Sequence, residues 1–126
     1  MIETEISKEI FIAPELLTQI EEESQVIIHC QLWATDMENA ARIWPTTYII
    51  DHITREKYPL VHVDGISMYP DWTFIDEGKT LNFTLIFKGL PKSCKSFDLV
   101  ELISEPGAFE FPNIARNSTD VYHIVF

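Results

Sequence analysis

The segment at residues 88–96 contains the residues whose types and spacing could do chemistry. Cys94 lies two residues after Lys92 and directly before Lys95. Neighbouring ammonium groups favour the thiolate, which is the nucleophilic form of cysteine. Nucleophilic catalysis also requires a positioned base, and no histidine is close to Cys94 in the sequence. We therefore predict that this segment connects two strands, and we keep a cysteine-dependent enzyme only as a third functional alternative.

The two cysteines lie in an order that is typical of one disulfide-bonded fold. Cys30, Trp44 and Cys94 follow the Cys–Trp–Cys order of immunoglobulin domains. Those domains place a tyrosine two residues before the second cysteine, whereas this chain has Lys92 there. Two cysteines also do not make a disulfide framework. We expect no disulfide, and we assign neither cysteine a role beyond packing.

No histidine or carboxylate group shows the spacing of a metal site. The histidines stand apart from one another, without HxH, HExxH or CxxC patterns around them. Acidic residues concentrate around YPDWTFIDEG, but their spacing fits no EF-hand loop, and turn chemistry explains them equally well. We therefore predict no metal, no cofactor and no catalytic residue. The histidines are His29, His52, His62 and His123.

Tyr69 and Trp72 are the aromatic residues that we expect to be partly exposed, because the sequence SMYPDW interrupts the strand pattern. Sugar-binding modules use exposed Trp and Tyr as flat platforms, and protein interfaces are enriched in the same residues. Trp44 could extend this surface. Packing in the core is the alternative role for all three side chains.

Lys92 and Lys95, together with Lys88, form a local basic spot in an acidic chain. Such a spot could contact acidic groups on a partner or on a second copy of the chain. A solvated loop is the alternative. The predicted partner or ligand surface therefore consists of Tyr69, Trp72, Lys92 and Lys95.

The size and charge of the chain exclude several classes of partner. Its 126 residues fit one domain with its own core. Its net charge of −11 repels nucleic acid phosphates and anionic lipids. No apolar run approaches the ~20 residues needed to cross a bilayer, and the start MIETEISKEI lacks the features of a secretory signal. We expect no nucleic acid partner, no membrane insertion and a cytoplasmic location as written, or an envelope location where a signal peptide preceded this sequence.

Alternation of apolar and polar residues dominates the chain and predicts an all-β domain. Seven or eight strand-like segments with turn signals about every 8–12 residues favour an antiparallel sandwich of about seven strands. Pro45 cannot donate to a ladder, which predicts an edge or a bulge in the second segment. One short helix is predicted at residues 14–23. The predicted strands are residues 24–34, 41–52, 55–65, 71–75, 79–89, 96–103, 108–114 and 121–126.

The phase of the alternation predicts which side chains face the core. In the third segment, Leu60, His62 and Asp64 are assigned to one face, opposite Val61 and Val63. In the other segments, the apolar residues that recur at every second position are assigned to the interior. The predicted core consists of Ile28, Leu32, Tyr48, Ile50, Leu81, Phe83, Leu85, Phe87, Phe97, Leu99 and Ile124.

Residues 41–114 resemble a small all-β module of Bacteroidetes. The matching stretches are ARIWPTTYIID, DGISMYP, FEFPNI and, most specifically, FTLIF…LPK…SFDLVE. The module is found alone or ahead of a thioredoxin-like domain in envelope proteins that handle thiols, and its function is poorly defined. The resemblance implies an immunoglobulin-like β-sandwich and carries no catalytic residue over to this chain. The chain differs from the thiol-handling proteins in having no CxxC motif.

Taken together, these features favour a non-enzymatic interaction module. It would bind another protein, or a second copy of itself as a homo-oligomer, through a sheet face or an exposed edge. The alternative is binding of a carbohydrate or another small ligand through Tyr69, Trp72 and Trp44.

Overall fold

The computed structural model describes residues 24–35 and 39–126, and within them the regular secondary structure consists entirely of strands. The predicted helix at residues 14–23 lies outside the described residues. The strands are β1 (Val26–Trp33), β2 (Ala40–Ala41), β3 (Thr47–Asp51), β4 (Lys57–Asp64), β5 (Thr73–Phe74), β6 (Thr80–Phe87), β7 (Ser96–Glu101), β8 (Glu110–Ala115) and β9 (Val121–Val125).

Seven of these strands form one sheet in the order β8-β7-β3-β4-β6-β1-β9. Every neighbouring pair in it is antiparallel except β1 and β9, which run parallel. The two short strands β2 and β5 pair separately as an antiparallel ribbon. The predicted connection between two strands at residues 88–96 is confirmed, since β6 ends at Phe87 and β7 begins at Ser96.

The sheet curls so strongly that strands from its opposite ends touch. Phe97 of β7 packs edge-to-face on Tyr122 of β9, with ring centroids 5.0 Å apart. Phe111 of β8 makes a similar contact with Phe126, which follows β9, also at 5.0 Å. The sheet therefore forms a half-barrel whose two halves face each other as the layers of a sandwich do. The predicted all-β fold class is confirmed. The two layers belong to one continuous sheet, because β4 pairs with β3 on one side and with β6 on the other.

The core fills the inside of this half-barrel. Alternate residues of β6, Phe83, Leu85 and Phe87, are at most 4% exposed, as the period-two pattern predicts. Removing such side chains from water is the main favourable contribution to folding. Of the predicted core residues, Ile28, Phe97 and Leu99 also belong to the buried cluster, and three more pack against it while partly exposed. Those three are Leu32, Leu81 and Ile124.

The prediction for the second segment was wrong in two respects. Residues 41–52 do not form one strand, because the chain turns around Pro45 and the Thr47 N–H donates to the Trp44 carbonyl at 3.1 Å. On β3, Ile49 is fully buried in the core cluster, whereas the predicted Ile50 is buried outside that cluster and the predicted Tyr48 is half-buried. Because Ile49 and Ile50 are adjacent, the alternation alone does not show which of them faces the core. The turn at Pro45 determines where β3 begins and therefore which residues face inward.

The faces predicted for β4 are corrected by a β-bulge. The register shifts between Leu60 and His62, so that Leu60 lies opposite Phe87 while Val63 lies opposite Leu85. Leu60 and Val63 therefore both pack against the core, although the alternation assigned them to opposite faces. One extra residue in a strand reverses the phase of everything after it.

Candidate functional site

A cleft of about 430 Å³ opens where the ends of β1, β6 and β7 approach β2. Aromatic side chains supply much of its wall, among them Trp44, Trp72 and Phe109. Concave sites that combine apolar walls with a few polar groups are the usual form of a binding site. This cleft is therefore the first candidate for a functional site among the described residues.

Three aromatic rings surround one guanidinium group beside this cleft. The Cζ atom of Arg42 lies 3.8 Å from the ring centroid of Trp72, 4.7 Å from that of Tyr69 and 5.5 Å from that of Trp44. Trp44 and Tyr69 in turn stack on each other with centroids 3.9 Å apart. A cation over an aromatic face contributes roughly 0.5–2 kcal/mol, depending on desolvation. We call Arg42, Trp44, Tyr69 and Trp72 the Arg42 cluster.

Backbone hydrogen bonds bring the two parts of the Arg42 cluster together. The Ile43 N–H donates to the Ser67 carbonyl at 2.9 Å, and the Tyr69 N–H donates to the Ile43 carbonyl at 2.8 Å. This short parallel bridge joins the strand-like segment after β2 to the SMYPDW segment. Nη1 of Arg42 then donates to the Pro70 carbonyl at 3.0 Å, which fixes the guanidinium among the rings. The cluster is thus held by main-chain contacts on both segments.

Glu101 places a buried carboxyl group on the wall of the same cleft. Glu101 is 6% exposed, and its Oε2 accepts a long hydrogen bond of 3.4 Å from the Trp44 N–H. Burial raises the pKa of Glu101, and this outweighs the lowering by the Trp44 N–H and by the positive charge of Arg42. The cleft therefore combines aromatic walls with one acidic group whose charge is costly to bury.

The structure brings the predicted aromatic residues together and adds one that was missed. Tyr69 is 42% exposed and Trp72 is 49% exposed, and Trp44 lies beside them. Arg42 was not singled out in the sequence. The available signal was its position two residues before Trp44, a spacing that places both side chains on one face of an extended segment.

Lys92 and Lys95 lie at a different place from Tyr69 and Trp72. Both lysines line a separate depression together with Arg116, and no residue lines both this depression and the cleft. Arg116 itself holds the loop, because its guanidinium donates to the carbonyls of Pro91 and Cys94 and pairs with Asp120. The four residues of the predicted surface therefore divide into two surfaces.

Cys94 is not placed as a reactive thiolate. It is 2% exposed, and its Sγ donates to the Ser96 carbonyl at 3.2 Å. Burial, together with the negative charge of Asp51, raises the pKa of the Cys94 thiol to about 11. The expected effect of the neighbouring lysines is outweighed, so the thiol is neutral at physiological pH. Cys30 is likewise buried, and neither cysteine forms a disulfide.

The histidines are less isolated in the fold than they are in the sequence. His52 shares a hydrogen bond of 2.8 Å with the buried carboxylate of Asp98. His29 and His123 lie directly opposite each other on the parallel strands β1 and β9, with ring centroids 5.2 Å apart. In the described part of the chain, no group of three or more His, Cys, Asp and Glu side chains is arranged to hold a metal ion.

Comparison of the chain with protein-family models, with curated proteins and with solved structures finds no match. Within residues 24–35 and 39–126, no helix has the length and apolar character needed to cross a bilayer.

Proposed function

We propose that the chain is a non-enzymatic binding module that contacts a protein partner through the Arg42 cluster and the adjoining cleft. The observation that carries this proposal is the composition of the cluster. Tryptophan, tyrosine and arginine are the residues most enriched among those that dominate protein–protein binding energies. Here two tryptophans and one tyrosine pack around one arginine beside the aromatic-lined cleft.

The internal packing of the cluster favours a protein partner over a sugar. A sugar platform needs an open aromatic face on which a pyranose ring can lie. One face of Trp72 is covered by the guanidinium of Arg42, and Trp44 and Tyr69 cover each other. The contacts among the four side chains also hold them in place, so the surface loses little side-chain entropy when a protein binds. Binding of a carbohydrate or small ligand remains the alternative.

The charge of the chain indicates what kind of protein surface would approach it fastest. The net charge is −11, and two carboxylates, Glu101 and Glu105, line the cleft. Complementary charge raises association rates and suppresses wrong partners. We therefore propose a partner whose contact surface is basic around an apolar centre.

The strand pairing supports the immunoglobulin-like assignment, which we retain as part of the proposal. The pairs β1–β6, β3–β7 and β7–β8 correspond to the B–E, C–F and F–G pairs of an immunoglobulin domain. The parallel β9 beside β1 is an addition to that pattern. Membership of the Bacteroidetes module, the cytoplasmic location and the homo-oligomer all stay predictions.

A selection of peptides against the purified chain tests the proposal. Peptides from a random display library that are enriched on the wild-type chain should bind Trp72→Ala at least about tenfold more weakly, because truncating a central interface tryptophan typically costs on the order of 2 kcal/mol. Fluorescence anisotropy with labelled peptides measures this change. Trp33→Ala is the matched control, since Trp33 is 55% exposed but does not line the cleft.

Three outcomes would contradict the protein-binding proposal. The first is that no peptide prefers the wild-type chain to Trp72→Ala, and the second is that Trp33→Ala weakens binding equally. The third is that a glycan panel changes the tryptophan fluorescence of the wild-type chain but not that of Trp72→Ala, which would establish the sugar alternative. Sedimentation of wild type and Trp72→Ala shows whether the partner is a second copy of the chain.

A further inference from the structure

A pair of histidines lies on the outer surface of the half-barrel, and neither of them lines the cleft. His29 stands on β1 between the buried residues Ile28 and Cys30, so its side chain points outward. His123 stands on β9 directly after the buried Tyr122 and is exposed in the same way. Because β1 and β9 are parallel and paired in register at these two positions, both imidazoles project side by side from the same face.

We propose that His29 and His123 together bind a divalent transition metal ion of tetrahedral preference, for which Zn²⁺ is the representative. Imidazole nitrogen is a preferred ligand of Zn²⁺, and water can complete the coordination of a site with an open position. This site is independent of the Arg42 cluster and of the proposed protein partner. It also goes beyond the sequence-based expectation that the histidines are not ligands.

The separation of the two rings matches the geometry of such a site. A Zn–N bond measures about 2.0–2.1 Å, and a ring centroid lies roughly 1.1 Å behind its nitrogen, so two imidazoles at the tetrahedral angle have centroids about 5.2 Å apart. The observed centroids of His29 and His123 are 5.2 Å apart, with a tilt of 33° between the rings.

A hydrogen bond on the far side of His29 orients its ring for this role. Nδ1 of His29 and the Oγ1 of Thr84 on β6 are 2.9 Å apart. With the hydroxyl oxygen accepting, the proton is on Nδ1 and the lone pair on Nε2, which is the atom left for the metal. Metal-binding histidines generally have a second hydrogen-bond partner of this kind, which fixes the tautomer and the ring orientation.

The surroundings of the pair favour a cation. Asp64 on β4 lies opposite Thr84, which places a carboxylate in the same row of the outer surface. Neighbouring strands are about 4.8 Å apart, so Asp64 is two strand spacings, roughly 10 Å, from His29 and is not a ligand of the same ion. It contributes negative potential in a chain whose net charge is already −11.

Calorimetric titration of the untagged full chain with Zn²⁺ at about pH 7.5 tests this site. The expected result is that His29→Ala and His123→Ala each weaken Zn²⁺ binding at least about tenfold. His62→Ala is the matched control, because His62 is an exposed histidine of β4 that is absent from this pair, and it should leave the affinity unchanged. All three substitutions lie on the surface, and a far-ultraviolet circular dichroism spectrum checks that each variant is folded.

A second pair of variants tests the orienting hydrogen bond. Thr84→Val keeps the shape of the side chain but removes its hydroxyl group, and it should weaken Zn²⁺ binding by about 10–100-fold. Thr84→Ser should restore the affinity. The proposal is overturned if the wild-type chain does not bind Zn²⁺, if the double variant His29→Ala/His123→Ala binds it as tightly as wild type, or if His62→Ala weakens binding as much as His29→Ala does.

Discussion

The buried carboxylate of Asp98 connects three segments that are distant in the sequence. It accepts hydrogen bonds of 2.8 Å from the Arg55 guanidinium and from the backbone N–H of Asn113, and it shares one with His52. Burial alone would raise its pKa, but the Asn113 N–H, Arg55 and His52 together lower the pKa of Asp98 to about 2. The carboxylate therefore occupies the β7–β8 bulge in charged form and ties it to the turn after β3.

Replacing the buried Asp98 by alanine should lower the free energy of unfolding by about 1–3 kcal/mol at pH 7, because the Asn113 N–H and the Arg55 guanidinium then lose their acceptor. The pH dependence should change as well. A folded-state pKa of about 2 lies below the ordinary value of 3.8, so the wild type should lose this stability as the pH falls from about 4 to about 2. Asp98→Ala should lack the part of this acid-induced loss of stability that comes from the Asp98 carboxylate. Urea unfolding at several pH values measures both effects, with the exposed Asp71→Ala as control.

The residue types in the sequence indicated part of the candidate site. They did not indicate which side chains contact each other in the fold. Tyr69 and Trp72 were found because SMYPDW interrupts an alternating pattern. Arg42 and the His29–His123 pair were missed, since the contacts that define them join positions far apart in the sequence. Cys94 was judged from its lysine neighbours along the chain, whereas its pKa follows from burial and from Asp51, which only the fold brings near.

At the scale of elements, the turn that follows β4 depends on a glycine. Gly65 has φ +85°, and a Cβ at this position would lie 2.9 Å from the carbonyl oxygen of Asn82. Gly78, in the turn before β6, has a similar φ of +80° but open space around it. The two glycines therefore share the conformational requirement and differ only in packing.

This difference predicts unequal effects of the same substitution. Gly65→Ala should lower the free energy of unfolding by about 1–3 kcal/mol more than Gly78→Ala does, because it adds overpacking against the β6 backbone to the left-handed strain that both variants carry. Urea denaturation of the two variants in parallel gives the comparison. Equal effects would mean that β6 can shift to accommodate the added methyl group.

The strands were predictable wherever the alternation was unbroken. β6 alternates cleanly, and its core face was identified correctly from Phe83, Leu85 and Phe87. On β3, Ile49 was missed because a turn at Pro45 precedes two adjacent isoleucines. On β4, Leu60 and Val63 were assigned to opposite faces because Val61 is an inserted bulge residue. A bulge depends on pairing with a neighbouring strand, and the pattern within one strand does not encode it.

At the scale of the whole molecule, Phe126 joins the two facing halves of the half-barrel. The ring of Phe126 packs against Phe83, Phe109 and Phe111, with centroid distances of 5.0–5.8 Å. It thereby joins β6, β8 and the segment before β8 from a position just beyond β9. Continuity of the two layers through β4 was not visible in the sequence, because the same alternation is consistent with two separate sheets.

Phe126→Ala should therefore lower the free energy of unfolding by about 2 kcal/mol, roughly half of the ~3–5 kcal/mol that a fully buried phenylalanine costs, since this side chain is partly exposed. Chemical denaturation followed by far-ultraviolet circular dichroism measures it. Phe74→Ala is the control, because Phe74 is 76% exposed and its loss should change stability little. A similar small change in Phe126→Ala would show that the halves hold together without this ring.

The two outer strands of the seven-stranded sheet differ in their ability to accept a further strand. β8 contains Pro112, which has no N–H to donate, followed by Asn113 with φ 56°, and such irregularities blunt a sheet edge. β9 is regular over its five residues and contains no proline. If two molecules joined edge to edge at β9, the combined sheet would end in a blunted β8 on both sides. Assembly by that route would stop at two chains and would not propagate into a fibril.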